Sequence, residues 1–129
     1  MTHSNLVFVG IGVDLVDIHR FSLLLDVAPT MKSRIFFGEE LTFNTKKLAG
    51  KFAAKEAVRK SLNEITSRVD FRDIMIANKE DGAPTVYVIG KHKTLIEHSG
   101  ISFQVSISYA SGLVIASAIA LKRITNQRQ

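Results

Sequence analysis

The spacing of hydrophobic positions along the chain predicts a mixture of strands and helices. Short runs that alternate apolar with polar residues, or are rich in Val and Ile, predict strands. A longer alanine-rich segment with no helix breaker after Gly50 predicts the main helix, and Asp17 is suited to cap the helix after the first strand. The predicted strands cover residues 6–16, 71–77, 85–89, 103–109 and 113–121, and the predicted helices cover residues 18–27, 38–46, 47–62 and 91–98.

The order of these elements predicts an α+β fold. One strand and three helices come first, and strands with turns at residues 79–84 and 110–112 follow. This order favours an antiparallel sheet packed against the long helix, in a single domain over residues 1–129. We expect the last residues, 125–129, to fray.

Charge and composition narrow the choice of partner. The 129 residues include 17 Lys and Arg against 12 Asp and Glu, a net charge of +5. This surplus predicts an acidic partner (nucleic acid, anionic lipid, a phosphorylated molecule or an acidic protein) unless it serves solubility alone. The absence of cysteine excludes disulfides and Cys-ligated zinc and fits a cytoplasmic location. The longest apolar run, residues 113–121, is about half the length of a membrane-spanning helix, so we expect no membrane partner.

Asp14 is unusual because it ends an otherwise apolar strand. A carboxylate in apolar surroundings is costly unless it has a partner. Either Asp14 is solvated or hydrogen-bonded to a nearby amide at the strand end, or it binds a ligand.

Glu56 and Lys60 form a second unusual feature, on the long helix. At 100° per residue they share one stripe with Ala49 and Ala53, whose small side chains leave room for another group to approach. The simplest interpretation of a Glu and a Lys four residues apart is an exposed ion pair.

Asp14, Glu56 and Lys60 together predict a site for a divalent cation and a phosphate. Mg²⁺ binds oxygen ligands and usually takes one or two carboxylates together with substrate phosphates and waters. Lys60, one helical turn beyond Glu56, would neutralise a phosphate held by the same ion.

Four motifs in order resemble those of holo-acyl-carrier-protein synthases, the small trimeric class of 4′-phosphopantetheinyl transferase. They are GIGVDLVDIHRF at residues 10–21, LAGKFAAKEAVRK at residues 48–60, DGAP at residues 81–84 and VSIS at residues 105–108. The resemblance extends over nearly the whole chain.

The resemblance implies a reaction and its participants. Members of this family transfer the 4′-phosphopantetheine group of coenzyme A to a serine of acyl carrier protein and release adenosine 3′,5′-bisphosphate. They use Mg²⁺ and assemble as homotrimers, with coenzyme A between neighbouring subunits. Coenzyme A and the acidic carrier protein both suit a basic enzyme, so nucleic acid becomes the least supported partner.

The resemblance also implies roles for individual residues. Asp14 and Glu56 match the metal-binding acids, and Lys60 matches the last lysine of the KEAxxK motif, so these three form the expected catalytic group. The expected coenzyme A contacts are Lys51, Lys55, Lys60, Asn63, Ser108 and Tyr109. The expected carrier-docking contacts on the first helix are Arg20, Phe21 and Leu24.

Three positions depart from the family pattern. Tyr109 stands where the family has His, residues 63–67 replace a Gly-Thr-Gly turn, and Lys51 replaces an arginine. Because the pKa of tyrosine is near 10, Tyr109 is a poor base at neutral pH, and Glu56 becomes the candidate base. The departures leave open a catalytically impaired module of the same fold that binds coenzyme A or the carrier. A nucleic-acid-binding domain is a third alternative, supported by charge alone.

Overall fold

The computed structural model describes residues 2–63, 65–66 and 69–127. Its strands are β1 (Thr2–Asp17), β2 (Ile74–Asn78), β3 (Pro84–Val88), β4 (Ile101–Ala110) and β5 (Leu113–Gln127). Its α-helices are α1 (Ile18–Val27), α2 (Thr30–Ile35), α3 (Thr45–Ser61) and α4 (Lys93–His98). Short 3₁₀ helices cover Gly38–Thr42, Phe71–Asp73 and Gly90–His92. Among the residues described, no helix has the length and apolar character that crossing a membrane requires.

A three-stranded antiparallel sheet in the order β1-β5-β4 packs against α3, and β2 and β3 form a separate antiparallel hairpin. Strands β4 and β5 are joined by a two-residue turn in which Ser111 and Gly112 both have positive φ, 52° and 77°. Two positive φ values characterise the hairpin turn whose twist matches that of the flanking strands. The predicted α+β class, with an antiparallel sheet against the long helix, is confirmed.

Small residues let α3 lie directly on the sheet. The buried alanines at this contact are Ala49, Ala53, Ala54 and Ala57 of α3 and Ala116, Ala118 and Ala120 of β5. On β1, a Cβ built at Gly10 would overlap the carbonyl oxygen of Ser61, and a Cβ built at Gly12 would overlap that of Ala57. Because neither glycine carries a Cβ, the C-terminal half of α3 packs against β1.

Aromatic rings fix α1 against α3. Phe21 of α1 is buried, lies stacked on Phe52 of α3 with the ring centroids 5.3 Å apart, and meets Phe36 edge-on at 6.4 Å. Asp17 caps α1 as predicted, since its carboxylate accepts a hydrogen bond from the backbone N–H of Arg20 at 3.0 Å. The start of α1 is therefore held beside the end of β1.

The segment before α3 differs from the prediction. Residues 38–46 were predicted as one helix, but they form a 3₁₀ helix over Gly38–Thr42, and α3 already begins at Thr45. The Asn44 side chain sets this start, because its Oδ1 accepts a hydrogen bond from the backbone N–H of Lys47 at 2.9 Å. Helix α2 was not predicted, since its six residues have no side-chain cap and only Ile35 is buried.

The predicted fraying of residues 125–129 is wrong over residues 125–127. These residues pair with the first residues of β1, up to the pair Thr2 and Gln127. Two long antiparallel strands satisfy each other's backbone hydrogen-bonding groups, which favours continuation of the ladder. Residues 128–129 lie outside the described residues.

Candidate active site

Asp14 lies next to Lys60, where α3 crosses β1. The Lys60 Nζ donates hydrogen bonds to the Val13 carbonyl oxygen at 2.9 Å and to Asp14 Oδ1 at 3.2 Å. The Asp14 side chain is 18% exposed and the Lys60 side chain 51%. The close approach of α3 to Gly12 therefore joins a strand carboxylate to a helix ammonium.

Glu56 lies one turn before Lys60 on α3 and shares a groove with Asp14. Burial raises the pKa of Glu56, and the negative charge of Asp14 raises it further, while Arg59 and Lys60 oppose the shift. A carboxylate whose negative charge is destabilised by burial and by a second carboxylate is a favourable ligand for a cation. The structure thus brings together the three residues predicted as the catalytic group.

The groove that holds the two carboxylates lies between β1, α1 and α3 and has a volume of about 600 Å³. Its apolar lining includes Leu23, Leu24 and Val27, which are exposed, and Arg20 lies at its edge on α1. Arg20 and Leu24 are therefore accessible to a partner, as the prediction of docking contacts requires. Phe21 was also predicted to contact the carrier, but it is only 3% exposed and packs against α3. In this conformation its side chain is part of the core and is not accessible to a partner.

Asn63 lies at the C-terminal end of α3. Together with Glu56, Arg59 and Lys60 it lines a polar cavity of about 310 Å³. Asn63 therefore shares a cavity with Glu56 and Lys60, two of the three residues of the expected catalytic group. Of the segment 63–67 that replaces the family's glycine-rich turn, residues 64 and 67 lie outside the described residues.

A cationic cavity of about 420 Å³ lies near the other end of α3. Lys46, Lys47 and Lys51 line it, together with Asn78 and Tyr109. The Lys51 ammonium donates a hydrogen bond to the Ile76 carbonyl oxygen, and burial lowers the pKa of Lys51. From Gly50, which Tyr109 contacts, to Ala57, which Gly12 contacts, α3 rises by about 10 Å, so this cavity and the carboxylate pair are separate within one chain.

Tyr109 and Ser108 lie on opposite sides of β4. Tyr109 faces α3, and burial raises the pKa of its phenol, which therefore stays protonated at neutral pH. Ser108 is exposed and pairs with Ile115 of β5, another exposed residue. Of these two predicted coenzyme A contacts, Tyr109 alone lies in the cationic cavity.

Lys55 does not face a ligand site. Its side chain is fully buried, and its Nζ donates hydrogen bonds to the carbonyl oxygens of Ile35 and Phe71, each at 2.9 Å, and to Glu40 Oε1 at 2.7 Å. Burial lowers the pKa of Lys55, and the hydrogen bond with Glu40 opposes that shift. Lys55 was expected to contact coenzyme A, but in this conformation it joins α3 to Ile35, Glu40 and Phe71 instead.

Comparison with known proteins identifies the family. The sequence model of the 4′-phosphopantetheinyl transferase superfamily matches residues 10–116. The chain belongs to this superfamily. The match includes both carboxylates, Lys60 and Tyr109, and it confirms the resemblance carried by the four motifs.

Individual members of the superfamily are similar over most of the chain. A holo-[acyl-carrier-protein] synthase of Pseudarthrobacter chlorophenolicus is 40% identical over 113 residues, which cover 87% of this chain and 96% of the relative. The crystal structure of a holo-ACP-synthase from Plasmodium yoelii has a TM-score of 0.78 at 33% identity and covers 92% of this chain and 98% of its own. A Helicobacter pylori holo-[acyl-carrier-protein] synthase in complex with coenzyme A has a TM-score of 0.72 at 29% identity, with 85% and 98% coverage.

Sequence reasoning missed Lys46 and Lys47 as possible ligand contacts in this member of the superfamily. Both lie in the first turn of α3, which was predicted to begin at residue 47, so they were divided between two helices. The cluster of Lys46, Lys47 and Lys51 within six residues was the available signal.

The shifted pKa of Glu56 predicts a pH-dependent effect on stability. A pKa raised on folding means that the folded chain binds the proton more tightly, so ionised Glu56 destabilises the folded state once the pH exceeds the unfolded value. Glu56→Gln should therefore raise the free energy of unfolding at about pH 7.5 and have a much smaller effect at about pH 4. Urea unfolding in the presence of a chelator measures this difference. An equal effect at both pH values, or destabilisation at the higher one, would contradict the described site.

Proposed function

We propose that this chain transfers the 4′-phosphopantetheine group from coenzyme A to a serine of apo acyl carrier protein. The observation that carries the proposal is the Asp14–Glu56 pair with Lys60 beside it, at the end of an apolar groove open to solvent. In the reaction the serine oxygen forms a bond to the β-phosphorus of coenzyme A. The bond between that phosphorus and the bridging oxygen breaks, and adenosine 3′,5′-bisphosphate leaves.

The carboxylate pair fits Mg²⁺. Asp14 and Glu56 offer two hard oxygen ligands within one groove, and burial together with the nearby charge of Asp14 raises the pKa of Glu56. No cluster of three or more His, Cys, Asp or Glu that could hold a metal occurs among the described residues. Two carboxylates suffice because Mg²⁺ usually completes its shell with water and substrate phosphates. When bound, the ion would neutralise charge on the diphosphate of coenzyme A.

Glu56 and Lys60 have distinct proposed roles. Glu56 is the carboxylate that we assign to accept the proton of the attacking serine, because it lies in the groove beside Asp14. Lys60, with a half-exposed side chain, offers positive charge to a phosphate oxygen. Because phosphoryl transfer depends mainly on positioning and charge neutralisation, the reaction does not need Tyr109 as a base.

The same groove supports a docking surface for the carrier protein. Arg20, Leu23, Leu24 and Val27 present one positive charge and three exposed apolar side chains beside the carboxylate pair. An acidic protein whose modified serine must reach Glu56 fits this surface, because opposite charge steers the encounter and apolar contacts hold the bound carrier.

Arg20→Glu tests this docking surface. Measured in steady-state kinetics, it should raise the KM for the carrier and leave the KM for coenzyme A unchanged.

A transfer assay tests the proposed function. Purified protein is mixed with coenzyme A, Mg²⁺ and apo acyl carrier protein, and the carrier is weighed by mass spectrometry. We expect the mass of one phosphopantetheine to be added, and Asp14→Asn and Glu56→Gln should each slow this at least about 100-fold.

Glu39→Gln is the matched control for the transfer assay, because Glu39 is an exposed carboxylate on the 3₁₀ helix before α3. It should retain full activity. Coenzyme A binding without any transfer would instead favour the alternative of a catalytically impaired binding module. Full activity in both site variants would refute the assigned roles.

The outer face of the main sheet supports the proposed homotrimer. This face carries Ile11, Val13, Leu15, Ile115 and Ile119, whose exposed fractions run from 36% to 61%. A contiguous apolar surface of this kind marks a protein interface. The family resemblance implies that coenzyme A would lie between neighbouring subunits of such an assembly.

Sedimentation analysis tests the trimer. We expect a trimer at micromolar concentration and dissociation by Ile115→Lys, because the charge would have to be buried. Leu95→Lys is the control, since Leu95 is 46% exposed but lies on α4, away from the sheet face. A monomeric parent chain, or a trimer that survives Ile115→Lys, would exclude this interface.

A further inference from the structure

Tyr109 packs on the backbone of α3 at Gly50. A Cβ built on Gly50 would overlap the Tyr109 hydroxyl, so the phenol keeps this position only while residue 50 is glycine. A glycine inside a helix destabilises it by about 1 kcal/mol relative to alanine. The contact with Tyr109 gives this glycine a structural reason.

The Tyr109 ring in turn contacts a lysine. The Nζ of Lys46 lies 5.2 Å from the ring centroid and above the ring face, within the range of a cation–π interaction. Lys47 and Lys51 lie above a different ring, that of Phe43, at 5.3 and 5.0 Å. Each of the three ammonium groups of the cationic cavity thus lies above an aromatic ring, and the ring above which Lys46 lies is that of Tyr109.

The Tyr109–Lys46 pair lies between two cavities. Both residues line the cationic cavity, and both also line a polar cavity of about 760 Å³ formed by the starts of α1 and α3 and the β4–β5 turn. An ammonium at this shared rim is accessible from either side, since Lys46 is exposed. Without the ring beneath it, a lysine side chain on the surface would sample many rotamers.

We propose that Tyr109 is a positioning residue that holds the Lys46 ammonium at the shared rim of the two cavities, where Lys46 binds an anionic group of coenzyme A. This inference rests on the proposed function and assigns a role to the residue that departs from the family pattern. Tyr109 acts through the face of its ring and needs neither to gain nor to lose a proton.

A double-mutant cycle on coenzyme A binding tests the proposal. Binding is measured by calorimetry, so the result does not depend on catalysis. Tyr109→Leu should weaken binding about two- to fivefold, the usual size of an exposed cation–π contact, and Lys46→Met about tenfold. The double variant should bind as weakly as Lys46→Met alone, because the ring acts only through that ammonium.

Two matched variants distinguish this role from a general structural one. Tyr109→Phe keeps the ring face and should bind coenzyme A like the parent chain. Lys47→Met removes an ammonium that lies above the Phe43 ring and not above Tyr109. In that background, Tyr109→Leu should still weaken coenzyme A binding about two- to fivefold. Equal effects of Tyr109→Leu with and without Lys46 would overturn the proposal, as would a loss of affinity in Tyr109→Phe.

A second measurement uses the parent chain and so does not depend on the folding of Tyr109→Leu. A Lys46 side chain above an aromatic ring has an upfield-shifted ε-CH₂ signal in NMR spectra, assigned by its loss in Lys46→Met. We expect this shift in the parent chain and in Tyr109→Phe, and its absence would overturn the proposal. If the parent chain fails to bind coenzyme A, both the proposed function and this inference are refuted. If it binds coenzyme A but the effects of Tyr109→Leu and Lys46→Met are independent of each other, only this inference is refuted.

Discussion

The close approach of α3 to β1 at Gly10 and Gly12 is the contact on which the candidate site depends. Any larger residue would push the helix away from the strand, because backbone carbonyl oxygens of Ser61 and Ala57 occupy the space of a side chain. At this spacing the Lys60 ammonium reaches Asp14, and Glu56 shares a groove with it. The two carboxylates of the candidate site therefore come from elements that are distant in sequence and that pack together through small residues.

Two buried interactions keep the surroundings of this contact in place. The stacking of Phe21 on Phe52 fixes α1, and with it the groove beside the carboxylates. On another side of α3, the fully buried Lys55–Glu40 pair binds the end of α2 and the segment before β2 through two carbonyl oxygens. Removing one member of such a pair leaves a buried charge without its partner, which is strongly destabilising. Lys55, which precedes Glu56 in the sequence, thus has a structural role.

The sequence predicted the features that depend on local periodicity, and it failed where distant contacts decide. Asp14, Glu56 and Lys60 were identifiable because a strand-end carboxylate and a helical stripe are visible in the sequence itself. Lys55 and Phe21 were assigned to ligands because nothing local reveals that Ile35, Phe71 or Phe52 surrounds them. The continuation of β5 to Gln127 likewise depends on its pairing with β1. Motif resemblance supplied the reaction and the partners, which periodicity alone left open.

A Mn²⁺ titration followed by electron paramagnetic resonance tests directly whether Asp14 and Glu56 form one cation site. Mn²⁺ takes the same oxygen ligands as Mg²⁺ and reports binding without catalysis. If the two carboxylates share one ion, each chain should bind one Mn²⁺, with affinity reduced about tenfold or more by either Asp14→Asn or Glu56→Gln and unchanged by Glu39→Gln. Equal Mn²⁺ affinity in the parent chain and in both site variants would contradict it.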